Sequence, residues 1–230
     1  MKSDLSKIEK KIKVKFKDKT LLTQAFVHRS YLNEHSGFEL DHNERLEFLG
    51  DAVLELIVTE YLYLNYPNPE GELTNWRASL VNSKMLSKIA QDINFESCLY
   101  LSKGEQQDTG KARQYILANA MEALIGAIYL DQGWDKAKVF VHSFILSQLS
   151  EILEKKLYLD PKSSFQELAQ EKTGITPSYK VLKESGPDHA KEFEVGIYLK
   201  NELVATGIGS SKQEAQEAAA RNGLEEKGWI

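Results

Sequence analysis

Asn43-Glu44-Arg45-Leu46-Glu47-Phe48-Leu49-Gly50-Asp51, running on into Ala52-Val53-Leu54-Glu55-Leu56-Ile57, is the stretch on which the reading of this chain turns. At about 100° per residue, Glu44, Glu47 and Asp51 (i, i+3 and i+7) fall within a sector of about 60°. Leu46, Leu49, Val53, Leu56 and Ile57 take the other side, so the spacing predicts an amphipathic helix with an acidic stripe. Like charges three or four residues apart cost a few tenths of a kcal/mol per pair, a cost that a cation among them removes. A solvated helix face is the plainer alternative. Gly50 sits inside this helix at a penalty of about 1 kcal/mol against alanine, which a close approach of another backbone at that point would explain.

Working outward, residues 1–155 read as helix almost throughout. Helices are expected at about 21–26, with Thr20 as N-cap and Gln24 near the capping-box position, then at 43–65, 73–80, 83–93, 113–131 and 134–154. Pro67 and Pro69 close the second of these, and Asp131-Gln132-Gly133 makes the turn between the last two. The helix over 113–131 is apolar on nearly every side, which marks it as a core helix and makes Glu122 a buried or cleft carboxylate. Such a group needs a cation, a hydrogen-bond network, a proton or an ion pair, with Arg45, Arg77 or His28 as partners for the last. Asn119, one turn earlier, points the same way. Set against Glu47 and Asp51, these two residues make an oxygen-only cluster, a donor set for Mg²⁺ or Mn²⁺ rather than zinc. Carboxylate-held Mg²⁺ commonly serves phosphate chemistry.

After a short linker at 156–160 the period changes. A helix over 163–173 ends at Gly174, Phe193, Val195, Ile197 and Leu199 alternate as one buried face of a strand, and Tyr179–Leu182 and Leu203–Thr206 flank it. Ser211 caps a final Ala-rich helix. The order helix–strand–strand–strand–helix over 161–229 is a small α+β domain.

Composition sets the outer limits. The chain has 230 residues, 42% hydrophobic and 27% charged, with Cys98 the only cysteine, so no intramolecular disulfide can form and a reducing, cytoplasmic setting is expected. The lysine-rich N-terminus lacks the apolar core of a secretory signal, and the longest apolar run, 115–130, is too short to span a bilayer. Net charge is −5, so a polyanionic partner must meet local basic patches while metal ions offset the acids.

The motifs resemble the ribonuclease III family. Asn43–Asp51 matches that family's signature stretch, supported by Ala25-Phe26-Val27-His28-Arg29-Ser30-Tyr31, Gly71-Glu72-Leu73-Thr74 with Arg77, Leu101–Glu105, and Glu122-Ala123-Leu124-Ile125-Gly126-Ala127. The tail looks like the family's double-stranded-RNA-binding domain. The resemblance implies an all-α endonuclease domain followed by a small α-β-β-β-α domain. It implies a homodimeric endoribonuclease that cuts double-stranded RNA, including ribosomal and other precursor RNAs, by metal-activated water attack, leaving 5′-phosphate and 3′-hydroxyl ends. It places the metal site at Glu47, Asp51, Asn119 and Glu122, with Asp51 and Glu122 catalytic, Glu44 supporting at the subunit interface and RNA, and Mg²⁺ (or Mn²⁺) as cofactor. The family usually has aspartate where this chain has Asn119, so weaker metal binding is expected, by roughly 1–3 kcal/mol. A non-cleaving duplex-RNA binder or ribosome-associated scaffold with an impaired metal site is the alternative that Asn119 leaves open.

In the tail, the binding-domain pattern sets Gln166 and Glu167 against 2′-hydroxyls and base edges, His189 in a minor-groove loop, and Ser211 and Lys212 at a helix start that favours phosphate. A second basic residue is usual where Gln213 stands. The N-terminal lysines could add a basic patch, with a solvated face as the other reading.

Overall fold

The computed structural model describes residues 5–187 and 191–229, and the chain divides into two compact units, Met1–Tyr158 and Leu159–Ile230. The first unit is helical: α1 (Ser6–Ile12), α2 (Lys19–Ala25), α3 (Arg29–Glu34), α4 (Glu44–Asn65), α5 (Glu70–Val81), α6 (Ser83–Asp92), α7 (Lys103–Gln107), α8 (Lys111–Gln132), α9 (Trp134–Phe144) and α10 (Leu149–Glu154). Its centre is α8, whose Leu117, Ala120, Met121, Leu124, Ile125 and Ile128 are fully buried, and α4 packs against it. Leu54, Ile57 and Val58 of α4 are buried against it.

Several local expectations are corrected. The cap of α2 is Asp18, not Thr20: the Asp18 carboxylate accepts from the Thr20 N–H at 2.8 Å. Gln24 forms no capping box; its amide donates to the His42 carbonyl, which lies across the fold. The span 134–154 is not one helix. It breaks into α9, a 3₁₀ turn at Leu146–Gln148 and α10, so that Ile145, Leu146, Leu149 and Ile152 all turn into the core. Leu56 does not join the packed side of α4, where Leu46, Val53 and Ile57 are buried; it is 58% exposed because α8 covers only the Leu46–Gly50–Ile57 side.

The second unit runs α11 (Pro161–Thr173), β1 (Ser178–Ser185), β2 (Glu192–Leu199), β3 (Glu202–Gly209) and α12 (Lys212–Glu226), with an antiparallel sheet in the order β1-β2-β3. Asp160 caps α11 and Gly174, at φ +68°, ends it. Tyr179 pairs with Ile197 and Ile197 with Ala205, so the alternating apolar residues of β2 face the helices. The alanines of α12 have a geometric reason. A Cβ on Gly207 would lie 2.1 Å from the Ala219 nitrogen, and one on Gly209 2.5 Å from that of Ala215, so helix and strand pack backbone to backbone. Among the described residues no helix is long and apolar enough to cross a membrane.

Candidate functional site

The site begins with how α4 and α8 meet. A Cβ on Gly50 would lie 1.7 Å from the Glu122 carbonyl oxygen, and one on Gly126 2.3 Å from that of Leu46. No side chain fits at either crossing point, so the two backbones touch, which accounts for the costly mid-helix glycine. Glu47 and Asp51 therefore flank the contact on α4, while Glu122 and, one turn before it, Asn119 flank it on α8. The start of α4 is fixed independently. Asn43 is 4% exposed, its side chain donates to the Ala25 carbonyl at 3.1 Å, and its backbone N–H donates to Val27 at 2.9 Å.

The electrostatics follow from this crossing. The Glu122 carboxyl is pushed up to about 8, first by burial and then by the charges of Asp51 and Glu47. Glu47 is raised by burial, by Glu44 and by Asp51, and a hydrogen bond from Asn119 partly offsets the rise. The ion-pair alternative for Glu122 is not taken: no cation acts on its carboxyl, Arg45 is exposed, Arg77 donates to the Thr59 hydroxyl at 3.0 Å and lies 3.6 Å from Glu55, and the His28 ring bonds Ser30 at 2.8 Å. Among the described residues, no three His, Cys, Asp or Glu side chains lie close enough together to share an ion by themselves. The acids are coupled through their field and through Asn119, as like charges that repel must be. Glu47, Asp51, Asn119 and Glu122 are the residues that could hold a hard cation, offering carboxylate and amide oxygens only.

Glu44, the first residue of α4, lies at the rim, 3.6 Å from the Arg29 guanidinium and 3.8 Å from the His42 ring. Those two neighbours escaped the sequence reading, since nothing in the local pattern pairs residues 29 and 42 with 44.

In the second unit Gln166 and Glu167 are exposed on α11. The Ser211 hydroxyl accepts from the Glu214 N–H at 3.2 Å, capping α12 as expected. Lys212 is exposed but engaged. Its ammonium lies 3.1 Å from Glu184 and 5.5 Å from the centre of the Phe193 ring. Glu184 was not anticipated, because only the sheet register, which pairs Glu184 with Phe193 beside Lys212, brings it near. His189 lies outside the described residues.

Two long helices crossing through glycines beneath a set of acids, followed by an α-β-β-β-α unit, define a class: a helical nuclease domain joined to a double-stranded-RNA-binding domain. Residues 18–149 match the family profile described as Ribonuclease-III-like, and residues 161–227 match the double-stranded RNA binding motif. The chain is similar to Ribonuclease 3 of Pelotomaculum thermopropionicum, 42% identical over 221 residues, covering 96% of this chain and 92% of that one. It is likewise similar to Ribonuclease 3 of Natranaerobius thermophilus, 45% identical over 218 residues and 94% of each chain. Among solved structures it resembles the nuclease domain of ribonuclease III from Campylobacter jejuni, with a TM-score of 0.57 and 41% identity over 63% of this chain and 97% of that one. That structure is described as showing flexibility in a region involved in dimer formation. The chain belongs to the ribonuclease III family, and its function is that of the family, endoribonucleolytic cleavage of double-stranded RNA.

Proposed function

We propose that the chain is a Mg²⁺-dependent, homodimeric endoribonuclease that hydrolyses duplex regions of ribosomal and other precursor transcripts in the cytoplasm, leaving 5′-phosphate and 3′-hydroxyl ends. Residues 1–155 carry the cleavage, 161–229 hold the RNA, and 156–160 link them. The observation that carries this reading is the carboxyl of Glu122, raised to about 8 beside Asp51 and Glu47 at the α4–α8 crossing. An acid so disfavoured in its charged form is stabilised by a cation, and the all-oxygen donor set fits Mg²⁺, with Mn²⁺ able to substitute.

Glu47, Asp51, Asn119 and Glu122 would hold the ion. Once bound, it supplies neutralisation of the phosphate and a water acidic enough to be the nucleophile. Asp51 and Glu122 would be the catalytic carboxylates, and Glu122, which keeps its proton near neutrality without metal, would release it on taking up the ion. Asn119 orients Glu47 through its amide N–H. Glu44, between Arg29 and His42, supports the rim facing RNA and the second subunit. Gln166 and Glu167 would meet 2′-hydroxyls, His189 the next minor groove, and Ser211 and Lys212 a phosphate, which must displace Glu184 from Lys212. The dimer reading is supported by an apolar strip left uncovered on α4, with Phe48 83%, Leu56 58% and Tyr63 77% exposed.

The deciding experiment incubates a long RNA duplex with the protein in EDTA and in Mg²⁺, beside Asp51→Asn and Glu122→Gln. Cleavage is expected only with Mg²⁺, and each variant should lose at least about a hundredfold in rate while still binding duplex. Cleavage in EDTA, or full rate in both variants, would overturn the site. Binding by the parent chain with no cleavage at all would leave the non-cleaving scaffold instead.

A further inference from the structure

Residues 5–19 carry seven lysines and two acids, a charge of +5, in a chain whose net charge is −5, so the remaining residues total −10. This segment lies in the nuclease unit and contains none of the residues assigned above. Its inward side chains, Ile8, Ile12, Val14 and Phe16, are at most 7% exposed, and its lysines project outward between them. Residues 14–18 form no helix or strand, yet their backbone is clamped. The Phe16 N–H donates to Glu9 at 2.7 Å, those of Lys17 and Asp18 donate to the two oxygens of Asp131 at 2.9 and 2.8 Å, and the Gln132 amide donates to the Lys15 carbonyl at 2.7 Å.

The acids of the segment are thereby engaged with backbone. Glu9 holds the Phe16 N–H and pairs with Lys19, and Asp18 caps α2. Among the described residues, Lys7, Lys10, Lys11, Lys13, Lys15 and Lys17 make no ion pair. A solvated lysine face needs no such fixed backbone. Here burial alternates from Ile12 to Lys17, so Lys13, Lys15 and Lys17 are exposed on the outward side of a backbone held by four hydrogen bonds.

We propose that the Lys13–Lys15–Lys17 ridge, continued by the lysines of α1, is a phosphate-backbone contact for duplex RNA beyond those of the C-terminal unit. The inference rests on the double-stranded-RNA reading above. It gives that reading something it lacks, because residues 159–230 carry only 9 Lys+Arg against 12 Asp+Glu. An anionic membrane is the poorer partner. Surface helices that bind bilayers insert apolar side chains, and here the alternating Val14 and Phe16 are consumed by the core.

The test measures binding of the full chain, in EDTA, to a fluorescent duplex of about 32 base pairs, twice the span of one binding domain. Affinity is followed from about 50 to about 200 mM KCl for the parent, for Lys13→Gln/Lys15→Gln/Lys17→Gln, and for the matching triple arginine variant. The glutamine variant should bind about tenfold more weakly at the low-salt end and show a log–log salt slope shallower by about 2. The arginine variant, which keeps the charge, should match the parent in affinity and in slope. An unchanged slope in the glutamine variant overturns the ridge while leaving the nuclease reading intact. A parent chain that binds no duplex overturns both. Binding of the ridge to phosphatidylserine vesicles with no effect of the triple change on RNA would assign it to a membrane and overturn the proposal.

Discussion

Glu122 joins an ordinary residue type to an uncommon setting. Its folded-state value of about 8 stands above the 4.5 of an unperturbed glutamic acid, because burial and two neighbouring carboxylates disfavour its charge. Between those two values the folded chain keeps a proton that the unfolded chain has released. Metal-free stability should therefore fall as pH rises from about 4.5 to about 8, and the raised Glu47 acts in the same sense. Melting of the metal-free protein from pH 5 to pH 8 should show a decline that Glu122→Gln removes in large part, a difference on the order of 5 °C. An identical decline in the variant would dissociate Glu122 from the effect. Asn119 acts on the same balance from the other side. It donates an N–H to Glu47, which an aspartate cannot do without a proton. Asn119→Asp should lower the melting temperature without metal and reduce the Mg²⁺ needed for half-maximal cleavage by roughly 5- to 150-fold, corresponding to about 1–3 kcal/mol. A titration of cleavage against Mg²⁺ reads the second effect directly, and an unaltered midpoint would contradict it.

At the scale of elements, the nuclease unit depends on two helices packed closer than side chains allow. The stretch Glu44–Ile57 announced its own helix by periodicity, and Gly50 announced that something approaches it. What approaches is the Glu122 turn of α8, and that pairing spans more than seventy residues of sequence, beyond any local pattern. Gly50→Ala would set a methyl into the Glu122 carbonyl and force the helices apart. A loss of about 3 kcal/mol or more in urea denaturation is expected, with cleavage falling further than stability because the four site residues separate. Full stability in that variant would show that the crossing can relax. Local signals failed where a tertiary partner decided the outcome. Asp18 displaced Thr20 as the cap of α2, and α9 and α10 parted so that Ile145 and Leu149 could both reach the core.

For the whole molecule, the uncovered strip on α4 is an apolar surface awaiting a partner. Phe48, Leu56 and Tyr63 lie on one exposed run of a helix whose other side is buried. With a second copy as the partner, Phe48→Asp should shift sedimentation from dimer to monomer and leave single-strand nicks where the parent makes double-strand cuts. A variant that remains dimeric would move the interface elsewhere.

By itself, the sequence determined the helical character of the first unit, the α-β-β-β-α order of the second, the acidic stripe of α4 and the half-buried carboxylate of α8, because each is written in short-range periodicity and residue chemistry. Only the tertiary structure decided that Glu122 stands over Gly50, that Asn119 bonds Glu47, that Glu184 holds Lys212 and that Leu56 stays exposed. Those contacts join residues far apart along the chain, and their energies come from packing and shared burial, which no single segment encodes.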